Sequence, residues 1–239
     1  MNSQKQALLH ALDIPVWLQR SSSEKESLTP TGGGPAGGWV SEEERGLSFS
    51  HDVTSLETIR QCVADCQLCP LHKTRTKTVF GVGNEKAKLM IIGEAPGFHE
   101  DQQGEPFVGR AGQLLNAMLQ SIGFERSEVY IANILKCRPP NNRDPLPEEV
   151  VQCTPYLKQQ IALIQPTVLC AVGRIAAQHL LETTESLGRL RGKTHHYDDN
   201  KLPLFVTYHP AYLLRNPAAK AEAYRDLLQL RERFLASVK

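Results

Sequence analysis

Four cysteines stand in two pairs, Cys66-x2-Cys69 and Cys137-x15-Cys153. Two thiolates at the first spacing let one turn of chain grip a metal ion or cluster. Cys137 ends a strand-like run and Cys153 lies on the helix that follows, so the second pair can meet the first only through tertiary folding. Four thiolates suit either tetrahedral zinc or a [4Fe–4S] cluster, and the spacing alone does not separate them. Interleaved with the cysteines are three polar segments, each following an apolar run: Gly93-Glu94-Ala95-Pro96-Gly97, Asn133 within Ile131–Leu135, and His209-Pro210.

The loop from Gly93 to Asp101 carries Glu94, Glu100 and Asp101, with glycines that let backbone approach a ligand. Phe107 follows in a polar loop, between Pro106 and Val108, where it is either core or a ring for stacking. Asn133 interrupts an apolar strand, and its amide must be satisfied there by a neighbouring loop or by a ligand. Arg138-Pro-Pro-Asn-Asn-Arg143 and His209-Pro-Ala-Tyr-Leu-Leu-Arg215 add donors and positive charge. A stacking ring, a two-edged amide, an imidazole and basic loops are the parts needed to hold an extruded base and its phosphates. Cys62 extends the first cysteine group to the three-cysteine pattern of radical enzymes that use S-adenosylmethionine, but that reading leaves Cys137 and Cys153 without a role. Cys62 and Cys170 read as buried small apolar residues.

These residues need elements to position them. Lys88–Ile92, Val129–Leu135, Thr167–Val172 and Leu204–Thr207 read as strands. Gly112–Ile122 carries a helical apolar stripe. Pro147-Glu148-Glu149 opens a further helix that Pro155 should kink or interrupt. Arg174–Leu181 and the stretch after Pro217 complete the helices. Strands alternating with helices predict an α/β fold of three layers, α/β/α, around a mainly parallel four-stranded sheet. Ligands in such sheets bind beyond the carboxyl ends of the strands, which places Glu94, Asn133 and His209 on one rim.

The 239 residues suffice for a sizeable core, and 41% hydrophobic with 22% charged residues is ordinary for a globular protein. A net charge of +1 argues against a DNA coat protein and leaves room for a local basic patch. No apolar run approaches the roughly 20 residues that span a bilayer, and the N-terminus has no secretory pattern. The expectation is a cytoplasmic protein, where reduced thiols favour metal binding over disulfides. Residues 1–50 read as a flexible extension with a short amphipathic helix and a Gly/Pro/Ser-rich linker, able to dock an unidentified protein. Residues 51–239 read as the catalytic domain.

GEAPG followed by Glu100-Asp101, GEPFVGRAGQLL (104–115), YIANILKCRPPNNRDP (130–145) and TYHPAYLLRNP (207–217) resemble the family 4 uracil-DNA glycosylases, the iron–sulfur branch of the uracil-DNA glycosylase superfamily. The resemblance runs from about Cys66 to Leu230. It implies a [4Fe–4S] cluster on Cys66, Cys69, Cys137 and Cys153. It puts acidic site residues at Glu94 and Glu100, with Gly97 between them, a stacking ring at Phe107, a uracil-reading amide at Asn133, a further site position at Asn142, and an imidazole at His209. Phe98 and His99 depart from the family pattern, in which small or acidic residues are common there.

The implied activity is that of a monomeric, monofunctional DNA-repair glycosylase, which extrudes uracil from single- or double-stranded DNA and leaves an abasic site. Asn133 would donate to uracil O4 and accept from N3–H, provided a hydrogen bond stops its amide flipping, while His209 would donate to O2. The loop from Glu100 to Phe107 would exclude thymine. Arg110, Arg138, Arg143, Arg191, Lys193 and Arg215 are candidate phosphate contacts. Leu213 or Leu214 is a candidate wedge into the base stack, or else core. The alternatives are a relative acting on another deaminated base such as hypoxanthine, and a non-catalytic iron–sulfur DNA-binding protein that would not need Asn133 and His209.

Overall fold

The structure is a computed structural model that describes residues 55–198 and 201–237. The docking helix and linker expected within residues 1–50 lie outside the described residues. In chain order the elements are α1 (Leu56–Ala64), β1 (Val82–Gly83), β2 (Leu89–Gly93), α2 (Phe98–Gln103), α3 (Arg110–Gln120), β3 (Tyr130–Asn133), α4 (Pro147–Ile164), β4 (Val168–Val172), α5 (Arg174–Leu180), α6 (Leu187–Leu190), β5 (Thr194–Tyr197), β6 (Leu202–Thr207), α7 (Pro210–Arg215) and α8 (Lys220–Ser237).

The central strands are apolar at nearly every position because both faces of the sheet are covered. Side chains alternate across a strand, so each strand feeds two cores. Met90, Ile92, Ala132, Leu169, Ala171 and Val206 join the core that includes α1, α4 and α5 residues. Leu89, Ile91, Ile131, Cys170, Val172 and Phe205 join the opposite core, with α3 and α8 residues. These are the three expected layers.

The sheet runs β1-β3-β2-β4-β6-β5. Its inner four strands are parallel, with Gly93 opposite Asn133, Ile92 opposite Ala171 and Val172 opposite Thr207. They are the four strands expected from the sequence. The sheet itself has six strands, because antiparallel β1 and β5 close its two edges. β1 is two residues long, and β5 reads Thr-His-His-Tyr with alternately exposed positions, so neither carries an apolar run.

Two further expectations are corrected. α4 continues through Pro155 as one helix. The carbonyl left without a helical partner there belongs to Val151, which is 53% exposed. Cys62 is exposed on α1, whereas Cys170 is buried as expected. No helix among the described residues is long and apolar enough to cross a membrane.

β2 has β3 on one side and β4 on the other, so the chain reverses its direction of winding at β2. That reversal opens a crevice at the carboxyl ends of the strands. Gly93 to Gly97 leaves β2 there, Asn133 ends β3, Gly173 follows β4, and Tyr208-His209 follows β6.

Candidate active site

The register that sets Gly93 beside Asn133 also makes the pocket floor. A Cβ on Gly93 would overlap Asn133 Oδ1 and come 2.7 Å from Phe107 Cζ. Only a glycine lets amide and ring share this space. Asn133 is buried, and its Oδ1 has no hydrogen-bond partner. No donor among the described residues holds the amide from behind, which corrects the expected locking hydrogen bond. The Asn133 main chain is held instead: Lys136 Nζ donates to its carbonyl at 2.8 Å and to Gln160 Oε1 at 2.6 Å. Gln160 in turn donates to the Phe80 carbonyl and the Tyr130 hydroxyl. Burial pushes the Lys136 ammonium down to about 8, against the opposing pull of Cys153 and Cys137.

Phe107 is buried and has a backbone φ of 54°, a left-handed conformation that costs a bulky residue about 1–3 kcal/mol. Its neighbours hold it there. Val108 and Gly109 donate their N–H groups to Glu100 Oε1 at 3.0 and 3.1 Å. Arg126 donates to the Pro106 carbonyl at 2.6 Å. Gly112 of α3 lies directly against the Phe107 carbonyl, where a Cβ would collide with it. The Phe107 ring then tilts 32° from the His209 ring, with centroids 5.6 Å apart.

His209 caps the N-terminus of α7, its Nδ1 accepting the Ala211 N–H at 3.1 Å. That bond fixes the neutral tautomer with the proton on Nε2. Burial, helped by the charge of Arg215 and opposed by Glu100, lowers the His209 pKa to about 4. The ring is therefore neutral at physiological pH and carries one N–H for an acceptor. Gly173, at φ 99°, supplies the room: a Cβ there would sit 3.0 Å from His209 Cβ.

The three carboxylates of the loop differ in task. Glu100 clamps Phe107, its other oxygen lying against Gly97, where a Cβ would be 2.7 Å away. Asp101 is buried and accepts the Thr76 N–H at 2.9 Å. Glu94 accepts no hydrogen bond of that kind. Burial first, then the nearby Asp144, raise its pKa to about 7 against the pull of Arg174. It is the carboxyl whose charge changes near neutral pH.

Asn142 is exposed on the 138–143 loop, at φ 53°, and its Oδ1 accepts from Arg138 Nε at 2.8 Å. Arg143 makes a bidentate pair with buried Glu149, at 2.9 and 2.6 Å, and so braces the start of α4. Arg191 is likewise committed to Asp226 and Glu222. Arg110 and Arg215 are exposed. Of the two wedge candidates Leu213 is excluded, because it is 1% exposed and joins the core that holds Phe107, Leu115 and Leu119, while Leu214 is half-buried.

The four cysteines converge as expected. Cys66, Cys69, Cys137 and Cys153 line one small pocket, walled by Val63, Leu71, Leu135 and Tyr156. All four are free thiols. Among the described residues no three His, Cys, Asp or Glu side chains converge tightly enough to hold a single ion. Burial pushes the Cys153 thiol up to about 12 and raises Cys69 and Cys137, and a bound cation would favour their thiolate forms. Two donors already face the sulfurs: Arg75 reaches Cys137 Sγ at 3.2 Å and the Lys136 N–H reaches Cys153 Sγ at 3.2 Å. Arg75, Lys136 and Gln160 were missed by the sequence reading. For Lys136 a signal existed, since a charge inside the run Ile131–Cys137 must find buried partners.

A mainly parallel sheet whose switch point presents a buried amide, a neutral imidazole and a tilted aromatic ring places the chain among enzymes of the α/β class. Residues 80–229 match the Uracil DNA glycosylase superfamily, and the chain belongs to that family. It is 48% identical over 187 residues to the Type-4 uracil-DNA glycosylase of Archaeoglobus fulgidus, covering 75% of this chain and 94% of the relative. It is 46% identical to the Type-4 enzyme of Pyrobaculum aerophilum over 178 residues, 72% of this chain and 91% of the relative. The Type-4 enzyme of Thermotoga maritima is 43% identical over 162 residues, 67% of this chain and 84% of the relative.

Glu100 is expected to hold the strained loop. Glu100→Ala should speed hydrogen exchange at the Val108 and Gly109 amides about 10- to 100-fold, the equivalent of one or two hydrogen bonds to a charged group. The Thr76 amide, held by Asp101, should not change. Unaltered protection at residues 108 and 109 would show that α3 packing alone fixes Phe107.

Proposed function

We propose that this chain is a monofunctional uracil-DNA glycosylase of base excision repair, a hydrolase of the N-glycosyl bond that leaves an abasic site. The observation that carries this is the unpaired, buried Asn133 Oδ1 facing the same crevice as His209 Nε2 and the Phe107 ring. Uracil supplies what these groups lack: N3–H donates to Asn133 Oδ1, O4 accepts from Asn133 Nδ2, O2 accepts from His209 Nε2–H, and the ring stacks on Phe107. Cytosine presents a reversed pattern at N3 and C4 and would leave buried groups unpaired, a mismatch worth roughly 10⁴–10⁵ in discrimination.

As the N1–C1′ bond breaks, its electron pair passes to the base and charge accumulates on O2. Neutral His209 keeps its proton and stabilises that charge by donation, an effect typically worth about 10²–10³ in rate. Water adds to C1′ and its proton passes to the Glu94 carboxylate. Glu100 acts one step away by holding Phe107. Arg110 and Arg215 are assigned to the phosphates of single- or double-stranded DNA.

Cys66, Cys69, Cys137 and Cys153 are assigned to a [4Fe–4S] cluster, which when bound braces the loops that carry Arg75 and the segment 137–153. The chain is read as a monomer that works in the cytoplasm.

Three measurements check this reading. On labelled oligonucleotides carrying U, T, C or hypoxanthine, abasic sites should form at U, with His209→Ala slower by about 10²–10³-fold and Asn133→Asp losing its preference for U over C. Cleavage at hypoxanthine alone, or full uracil preference in Asn133→Asp, would overturn the assignment. The kcat/KM profile should rise with pH to a single inflection near 7, because Glu94 acts as the carboxylate, with no second inflection from His209, whose pKa burial lowers to about 4. Glu94→Gln should remove the limb near 7 and lower activity by about 10²-fold. Metal analysis of anaerobically purified protein should find iron and sulfide in equal amounts, four of each per chain. Cys137→Ser and Cys153→Ser should lose them, and one zinc per chain in their place would refute the cluster.

A further inference from the structure

Of the two leucines expected as a wedge, Leu213 is core and Leu214 is half-buried. The site mouth nevertheless carries an apolar group with no packing task. Phe98, the first residue of α2, is 53% exposed, the highest exposure of any aromatic side chain among the described residues. A single exposed apolar residue is ordinary in itself. This one is distinguished by its place and its neighbours. It directly follows Gly97, the residue against which Glu100 rests, and lies four residues beyond Glu94. α2 is anchored from its other side by Asp101 on Thr76 and by Glu100 on residues 108 and 109. Phe98 contributes nothing to that anchoring. Its ring edge meets His99, with centroids 5.5 Å apart. The Arg138 guanidinium lies 5.2 Å from its ring centroid, and Arg138 Nε is also bonded to Asn142.

Phe98 and Arg138 therefore join two loops of the rim into one cation–π unit, with an aromatic surface in water beside the crevice that takes the extruded base. Tyr212, the other exposed aromatic close to the crevice, already has a ring face stacked on Tyr208 at 5.0 Å, and Arg191 lies 4.3 Å from the Tyr208 ring. We propose that Phe98, held by Arg138, is a stacking site for a nucleobase of the substrate strand flanking the extruded uridine. Every base has a π face, so such a platform engages DNA without reading sequence, and the guanidinium adds positive charge where the strand's phosphates pass. The platform also fills the space a neighbouring base loses when the uridine leaves the stack. This inference rests on the glycosylase reading of the same site.

The test uses the full chain with uracil-containing single-stranded and duplex oligonucleotides. Excision by the unsubstituted protein establishes the reading before any variant is compared, so failure of the activity and failure of the platform are distinguishable. Phe98→Ala should raise KM about tenfold, the fold-change expected for one lost base stack, with kcat held within about twofold and an unchanged melting temperature. Phe98→Leu, equally apolar but without a π face, should recover little, and Phe98→Trp should restore the affinity. In a His209→Ala background, which slows turnover about 10²–10³-fold, the Phe98→Trp emission should be quenched on saturation with the oligonucleotide before excision proceeds. His209→Ala alone gives the baseline for Trp17 and Trp39. An unchanged KM in Phe98→Ala on both substrates, full recovery by Phe98→Leu, or unquenched emission at saturation would each overturn the stacking site.

Discussion

Burying the Asn133 side-chain oxygen Oδ1 with no donor from the described residues against it costs about 1–3 kcal/mol, and the surrounding fold is arranged around that unpaired atom. Gly93 leaves the room for it, and Phe107 closes the space beside it in a backbone conformation that itself costs energy. Lys136 and Gln160 hold the Asn133 peptide from below. The amide is thus aimed by its main chain and confined by its neighbours, without a bond to the side chain itself. A ligand bringing one N–H donor to that spot recovers the cost, so the unpaired atom acts as a preference for one edge pattern over its reverse.

The cysteine pocket sits on the other side of the same segment. Lys136 is the point of contact: its N–H meets Cys153 and its ammonium meets Asn133. Only Ile134, Leu135 and the buried Lys136 separate Asn133 from Cys137 in the chain. The rest of the crevice is electrically quiet: neutral His209, a Glu94 that titrates near neutrality, and cations committed to partners at Arg143 and Arg191. Free positive charge remains on the rim at Arg110 and Arg215.

Much of this was legible from residue order. The four inner strands are long apolar runs because both of their faces are buried, and their carboxyl ends pointed to Glu94, Asn133 and His209. The edge strands β1 and β5 were invisible for the opposite reason: one is too short and the other too polar to leave a pattern. Pro155 misled because a missing helical bond is tolerated where the freed carbonyl lies at an exposed residue. Leu213 misled because the spacing after His209 says nothing about which side of a one-turn helix faces the core. Glu100 looked like chemistry from its position in the loop, and two backbone N–H groups make it a clamp.

Residue types and their intervals determined the parallel sheet, the four thiols, and the set of side chains able to bind a base, since these follow from periodicity and from chemistry carried by single residues. Tertiary structure alone decided how each of them acts. Whether Asn133 is bonded or unpaired, which tautomer His209 holds, which carboxylate is free to titrate and which arginines face solvent all depend on partners far away in sequence. Hydrogen bonds and desolvation act over a few ångströms of space, and that proximity exists only once the strands have been brought side by side.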